Sequence, residues 1–172
     1  MRQLSIPAII FALVSAGCAV SSTTEPPIDV RGVTFETYPG PFCGRCDTTK
    51  ITVADDGRAW IEQGYWAGDY RDWRVTRREA QISAESLARF RARVDEYRPR
   101  GQLALDDQPP CQTFEADNSG INIAWRDERG ADRLAYNFGC DSEVRRAMAD
   151  ALRTAPALLE VPGLRIRELG GE

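Results

Sequence analysis

Residues 49–63 constrain the fold more than any other stretch. Ile51 and Val53 alternate with polar or small neighbours, Asp55-Asp56-Gly57 follows, and residues 58–63 resume the alternation with Ala59 and Ile61 on one side and Trp60 and Glu62 on the other. Period-two alternation marks a half-buried strand, and Asp-Gly between two such runs marks a tight hairpin. Strands joined this way form an antiparallel sheet.

The rest of the chain supplies neighbours for that hairpin. Residues 32–37 alternate as a strand, and 39–46 read as a loop. Gly64 and Gly68 bracket Tyr65-Trp66 and predict a bend, after which 72–76 form a strand with Trp73 and Val75 on one face. Ser83 is a helix cap, with Ile82 and Leu87 at the spacing of a hydrophobic staple. Leu87, Phe90, Val94 and Tyr97 make one apolar stripe, and Pro99 and Gly101 end the helix.

Three more strands are predicted at 113–116, 121–126 and 133–138, linked at Asn118-Ser119-Gly120 and Glu128-Arg129-Gly130. A second helix, capped by Asp141 or Ser142, turns Val144, Met148, Ala151 and Leu152 inward until Pro156 breaks it. Residues 164–169 read as a short terminal strand. The order is β-β-β-(β)-α-β-β-β-α, which predicts an α+β domain: a two-layer antiparallel sheet with two main helices on one face.

Residues 1–17 stand apart. Arg2 gives a basic start, residues 4–14 are apolar, and Ser15-Ala16-Gly17 are small and directly precede Cys18. This is the pattern of a cleaved export signal, and the apolar run is shorter than the roughly 20 residues of a membrane span. Small residues followed by Cys18 resemble the lipobox of bacterial lipoproteins, although Ser15 holds the place where that family usually has Leu. The resemblance implies an acylated Cys18 and a membrane lipid anchor. A plain secretory signal cut near Ala16 or Gly17 is the alternative. Ala19 occupies the place where inner-membrane lipoproteins often carry Asp, which implies the outer membrane, facing the periplasm. Residues 18–31 then form a lipidated tether, polar and Pro-containing, and 32–169 form a single domain.

Composition excludes several functions. Losing residues 1–17 removes Arg2 and takes the formal charge from −4 to −5. Mild acidity argues against a nucleic-acid partner. The chain has no histidine, so Ser-His-Asp and Cys-His nucleophiles and His-ligated metals are excluded. No metal site or cofactor is expected. Asp55, Asp56, Asp106 and Asp107 lack the spacing of a cation loop and read as turn formers.

Beyond Cys18 lie Cys43, Cys46, Cys111 and Cys140. Four cysteines in an exported chain suggest two disulfides, for which Cys43–Cys46 and Cys111–Cys140 are the favoured pairs. The second bond would close a loop of roughly thirty residues and contribute on the order of 3 kcal/mol. The alternative ties the Cys43/Cys46 loop to the later cysteines. Cys43-Gly44-Arg45-Cys46 also spells C-x-x-C, yet the motif leads into a strand, whereas a thioredoxin-like site opens a helix.

Three features are similar to a bacterial domain-of-unknown-function family (number 6438) found in lipoproteins and exported proteins. They are the loop Phe42-Cys43-Gly44-Arg45-Cys46, the hairpin Ile51-Thr52-Val53-Ala54-Asp55-Asp56-Gly57, and the helix from Ile82-Ser83 through Leu87, Phe90 and Tyr97. The family loop is usually closer to Cys-Phe-Gly-x-Cys-Pro-x-Tyr, so this chain departs in spacing and has Asp47 in place of Pro. The resemblance implies an extracytoplasmic α+β domain and lends no activity.

Tyr65, Trp66, Tyr70 and Trp73 form the candidate binding surface. Together these readings point to an envelope-anchored, non-catalytic binding or structural module, with an envelope protein or glycan as partner. The alternative is a thiol-disulfide oxidoreductase using Cys43 and Cys46.

Overall fold

The computed structural model describes residues 29–40, 46–69 and 71–165. The hairpin at Asp55-Asp56-Gly57 joins β2 (Thr48–Ala54) to β3 (Arg58–Ala67). Gly57 sits at φ 84° and its N–H donates to the Ala54 carbonyl, so a three-residue loop closes with glycine in the left-handed position that other residues avoid. Asp56 accepts from the Arg58 backbone N–H and guanidinium.

The remaining elements are β1 (Gly32–Tyr38), β4 (Asp72–Gln81), α1 (Ala84–Asp95), β5 (Gln102–Leu105), β6 (Gly120–Asp127), β7 (Gly130–Asn137) and α2 (Arg146–Thr154), with a 3-10 helix at Ala155–Leu159. Among the described residues, seven strands form one sheet in the order β4-β3-β2-β1-β6-β7-β5. Every pairing is antiparallel except β5 with β7. The chain is an α+β protein.

One cross-strand row shows where the core sits. Ile61 pairs with Ile51, Ile51 with Phe35, Phe35 with Ile123, and Ile123 with Leu134. All five are buried. Phe90 of α1 meets Phe35 edge-on at 6.5 Å, and Leu152 of α2 joins the same apolar cluster. Burying each such side chain contributes about 1.5–3 kcal/mol. The alternate residues of the central strands, among them Thr34, Glu36, Lys50, Asn122 and Ala124, point to the opposite face.

Helix α1 starts as its sequence dictates. The Ser86 N–H donates to Ser83 Oγ at 3.1 Å, Ile82 is buried, and Leu87, Phe90 and Val94 face the core. Just beyond its end, the Arg98 side chain is 5% exposed. Its guanidinium bonds Asp127 twice, at 2.6 and 3.1 Å, and Asp132 at 2.6 Å. Asp132 also accepts from the Gly101 N–H at 2.7 Å, and Trp125 donates to Asp95 at 2.7 Å. These bonds fasten the end of α1 to the β6–β7 hairpin.

Several expectations need correction. The first strand after α1 is Gln102–Leu105, not 113–116. Its four residues bury only Leu105, too few to display a period. Residues 113–116 make an isolated bridge, Phe114 with Cys140, and the Thr113 N–H bonds the Asp141 carboxylate at 2.8 Å. That carboxylate is thereby diverted from capping α2, Asp141 itself lies at φ 48°, and the helix begins only at Arg146. Val144 consequently lies outside the helix and is 90% exposed. Residues 64–66 are not a bend but part of β3, and the turn comes at Gly68, φ 60°. β4 continues five residues past the predicted 76 to Gln81. Leu164 and Arg165 are not in a strand, and residues 166–169 lie outside the described residues.

Candidate functional site

β3 outruns β2. Their pairing ends at Thr48 with Gly64, while β3 and β4 stay paired to Ala67 and Asp72. The far end of the sheet is therefore a two-stranded ribbon, and Trp66 pairs directly with Trp73 on it. The two indoles meet edge to face, with centroids 5.3 Å apart and planes at 66°. Such cross-strand aromatic pairs hold each other in place.

Both rings remain open to solvent, Trp66 at 39% and Trp73 at 40%, and Val75 beside them on the same face is 43% exposed. A Cβ on Gly64 would fall 2.2 Å from Cζ2 of Trp73, so the indole lies against bare backbone there. The structure thus brings Trp66, Trp73 and Val75 into one apolar patch on the face opposite the helices.

The other two candidates do not join it. Tyr65 points to the helix-bearing face, where the Arg165 guanidinium sits 5.6 Å from its ring centroid. Tyr70 lies outside the described residues. Sequence reasoning missed Val75 as a member, and it mistook Gly64 for a bend. Glycine in a strand interior often marks close approach of another group, and that signal was present.

The arginines near the patch are mostly paired. Arg74 bonds Asp72 at 2.9 Å and Arg77 bonds Glu62 at 2.7 Å. Arg78 instead reaches across the helix-bearing face to the Pro162 carbonyl at 2.6 Å. Two of the acidic candidates are likewise engaged. Asp55 pairs with Arg91 and Asp56 with Arg58. Asp106 adds to the effect of burial on Tyr38, whose hydroxyl is pushed up to about 12. Among the described residues, no group of three or more Cys, Asp or Glu side chains is placed to hold a metal ion.

The cysteines divide by environment. Cys111 and Cys140 form a disulfide with Cα atoms 5.3 Å apart, both buried, beside the Phe114–Cys140 bridge. Cys46 is also disulfide-bonded, its partner lies outside the described residues, and it stands two residues before β2. The pairing of 111 with 140 excludes a bond from the Cys43/Cys46 loop to either. Cys18 and Cys43 lie outside the described residues. No family model, curated protein or solved structure matches this chain.

Proposed function

We propose that this protein is a lipid-anchored, non-catalytic module of the bacterial envelope that contacts an envelope protein or glycan through Trp66 and Trp73. The observation carrying this reading is the exposure of two indoles packed edge to face on a ribbon that projects past the body of the sheet. A rigid aromatic pair supplies contact area at small cost in side-chain freedom. The export-signal pattern, Cys18 and the polar tether support an extracytoplasmic address. No described helix is long and apolar enough to cross a membrane.

The thiol-disulfide alternative needs a reactive sulfur at a helix N-terminus, where the dipole lowers its pKa. Here the element after Cys46 is the strand β2.

The test combines a Trp66→Ala/Trp73→Ala protein with co-sedimentation on isolated cell-wall sacculi and with photo-crosslinking from position 75 in intact envelopes. Because both rings are exposed, the substitutions should cost only about 1 kcal/mol in stability. Glycan retention or a discrete crosslinked adduct should be lost in the variant. Equal retention and equal crosslinking by both proteins would sink the reading. Metabolic labelling with a palmitate analogue checks the anchor separately, and an unlabelled protein would remove it.

A further inference from the structure

The sheet face away from the helices holds a second feature, lined by residues other than those of the aromatic patch. Thr52 pairs with Thr34, Thr34 with Ala124, and Ala124 with Arg133. Three short side chains in a row leave a trough in the sheet surface, enclosing about 440 Å³. Gly32 extends its floor, and Lys50, Arg126 and Arg133 stand around it.

The trough offers donors and positive charge. Thr34 Oγ and Thr52 Oγ lie 3.1 Å apart and share one hydrogen bond, which leaves one hydroxyl proton to donate outward. Lys50 and Arg133 have no ion-pair partner among the described residues; Arg133 donates only to Asn122 at 3.3 Å. Arg126 pairs with Asp29 at 2.9 Å. The nearby acids are Asp132, which is held by Arg98 and the Gly101 N–H, Glu36, which pairs in register with Lys50 on the same face, and Glu62, which pairs with Lys50 from the other side and is held by Arg77. Against the single carboxylate of Glu36, Lys50 and Arg133 leave an excess of positive charge beside a concave surface, in a chain of net charge −4, and this local field favours anions. An ammonium, a guanidinium fork and a hydroxyl donor suit the oxygens of a phosphate ester.

The Asp29–Arg126 pair also places the chain's entry to the domain at the rim of this trough. Residues 19–28 span at most about 35 Å when fully extended. An acylated Cys18 would keep the trough within that distance of the lipid headgroups. We propose that the trough receives the phosphate of an anionic phospholipid, so that this face of the domain rests on the bilayer to which the chain is anchored. The inference goes beyond the aromatic contact and takes from that reading only the anchor at Cys18.

The experiment uses the processed chain from residue 18 with Cys18→Ser, so that no acyl chain contributes. Binding is compared on vesicles of phosphatidylcholine alone and of phosphatidylcholine mixed with phosphatidylglycerol. The expected result is retention that requires phosphatidylglycerol, weakens as salt is raised, and falls on the order of twenty-fold in Lys50→Ala/Arg133→Ala. Both side chains are exposed, and an unchanged melting curve verifies that the variant is folded. Trp66→Ala/Trp73→Ala should keep the phosphatidylglycerol dependence, so failure of the aromatic reading and failure of this one give different patterns. Equal binding to both vesicles, or a dependence that survives loss of Lys50 and Arg133, overturns the proposal. So does a soluble phosphate ester that shifts the amide resonances of Thr34, Thr52 and Ala124 while the vesicles bind nothing.

Discussion

Trp73 rests on Gly64: a single added carbon at residue 64 would come within 2.2 Å of the indole and 2.7 Å of Thr48 Oγ. Gly64→Ala should therefore push Trp73 off the strand and spoil its edge-to-face contact with Trp66. Trp73 is exposed and free to swing outward, so the stability cost should be about 1 kcal/mol, at the low end for overpacking. A shift in tryptophan emission with a nearly unchanged melting temperature is the expected outcome. Unchanged emission would show that the ring does not depend on Gly64.

Arg98 should be among the least replaceable charged residues. Arg98→Ala leaves Asp127 and Asp132 without their shared counter-ion, at a cost of about 3 kcal/mol, measurable by urea denaturation. The same cluster sets an acid dependence. Asp127 is held below the usual carboxylate range, first by the Arg98 hydrogen bonds; Asp132 is held down by the Gly101 N–H and then by Arg98. A carboxyl whose folded pKa is depressed contributes stability above its unfolded value, near 4, and loses it as pH falls toward the folded value. Unfolding free energy should thus decline below about pH 4 in the native protein. The decline should be shallower in Arg98→Ala.

Tyr136 makes the opposite prediction. Its ring is fully buried against Phe138, 5.4 Å away and edge-on, yet its hydroxyl has no hydrogen-bond partner among the described residues. Burying an unsatisfied hydroxyl costs free energy that phenylalanine avoids. Tyr136→Phe should be neutral or stabilise by up to about 1 kcal/mol in thermal or urea unfolding. A loss of more than that would reveal a bonded water at the hydroxyl.

What could be read in advance follows from how local each signal is. The Asp55-Asp56-Gly57 hairpin and the Ser83 cap are decided by residues adjacent in sequence, and both stand where the pattern placed them. β5 escaped notice because four residues with one buried side chain carry no period. The start of α2 was misplaced because Asp141 spends its carboxylate on Thr113, a residue 28 positions away. Among the site residues, Trp66 and Trp73 were visible as members of an aromatic cluster, but their pairing on neighbouring strands was not, because Gly64 reads locally as the start of a bend. The trough was not, since Thr34, Thr52, Ala124 and Arg133 are chemically ordinary and meet only through the register of four strands.

The position of β1 carries a mechanical consequence. The chain enters the domain at Gly32, the first residue of the strand in the middle of the sheet, bonded to β2 on one side and β6 on the other. A pull on the N-terminal segment along the strand axis loads both hydrogen-bond ladders in shear at once. A strand at an edge, such as β4, could instead be unzipped bond by bond. A domain attached through β1 should hold its shape under tension and yield abruptly rather than fray.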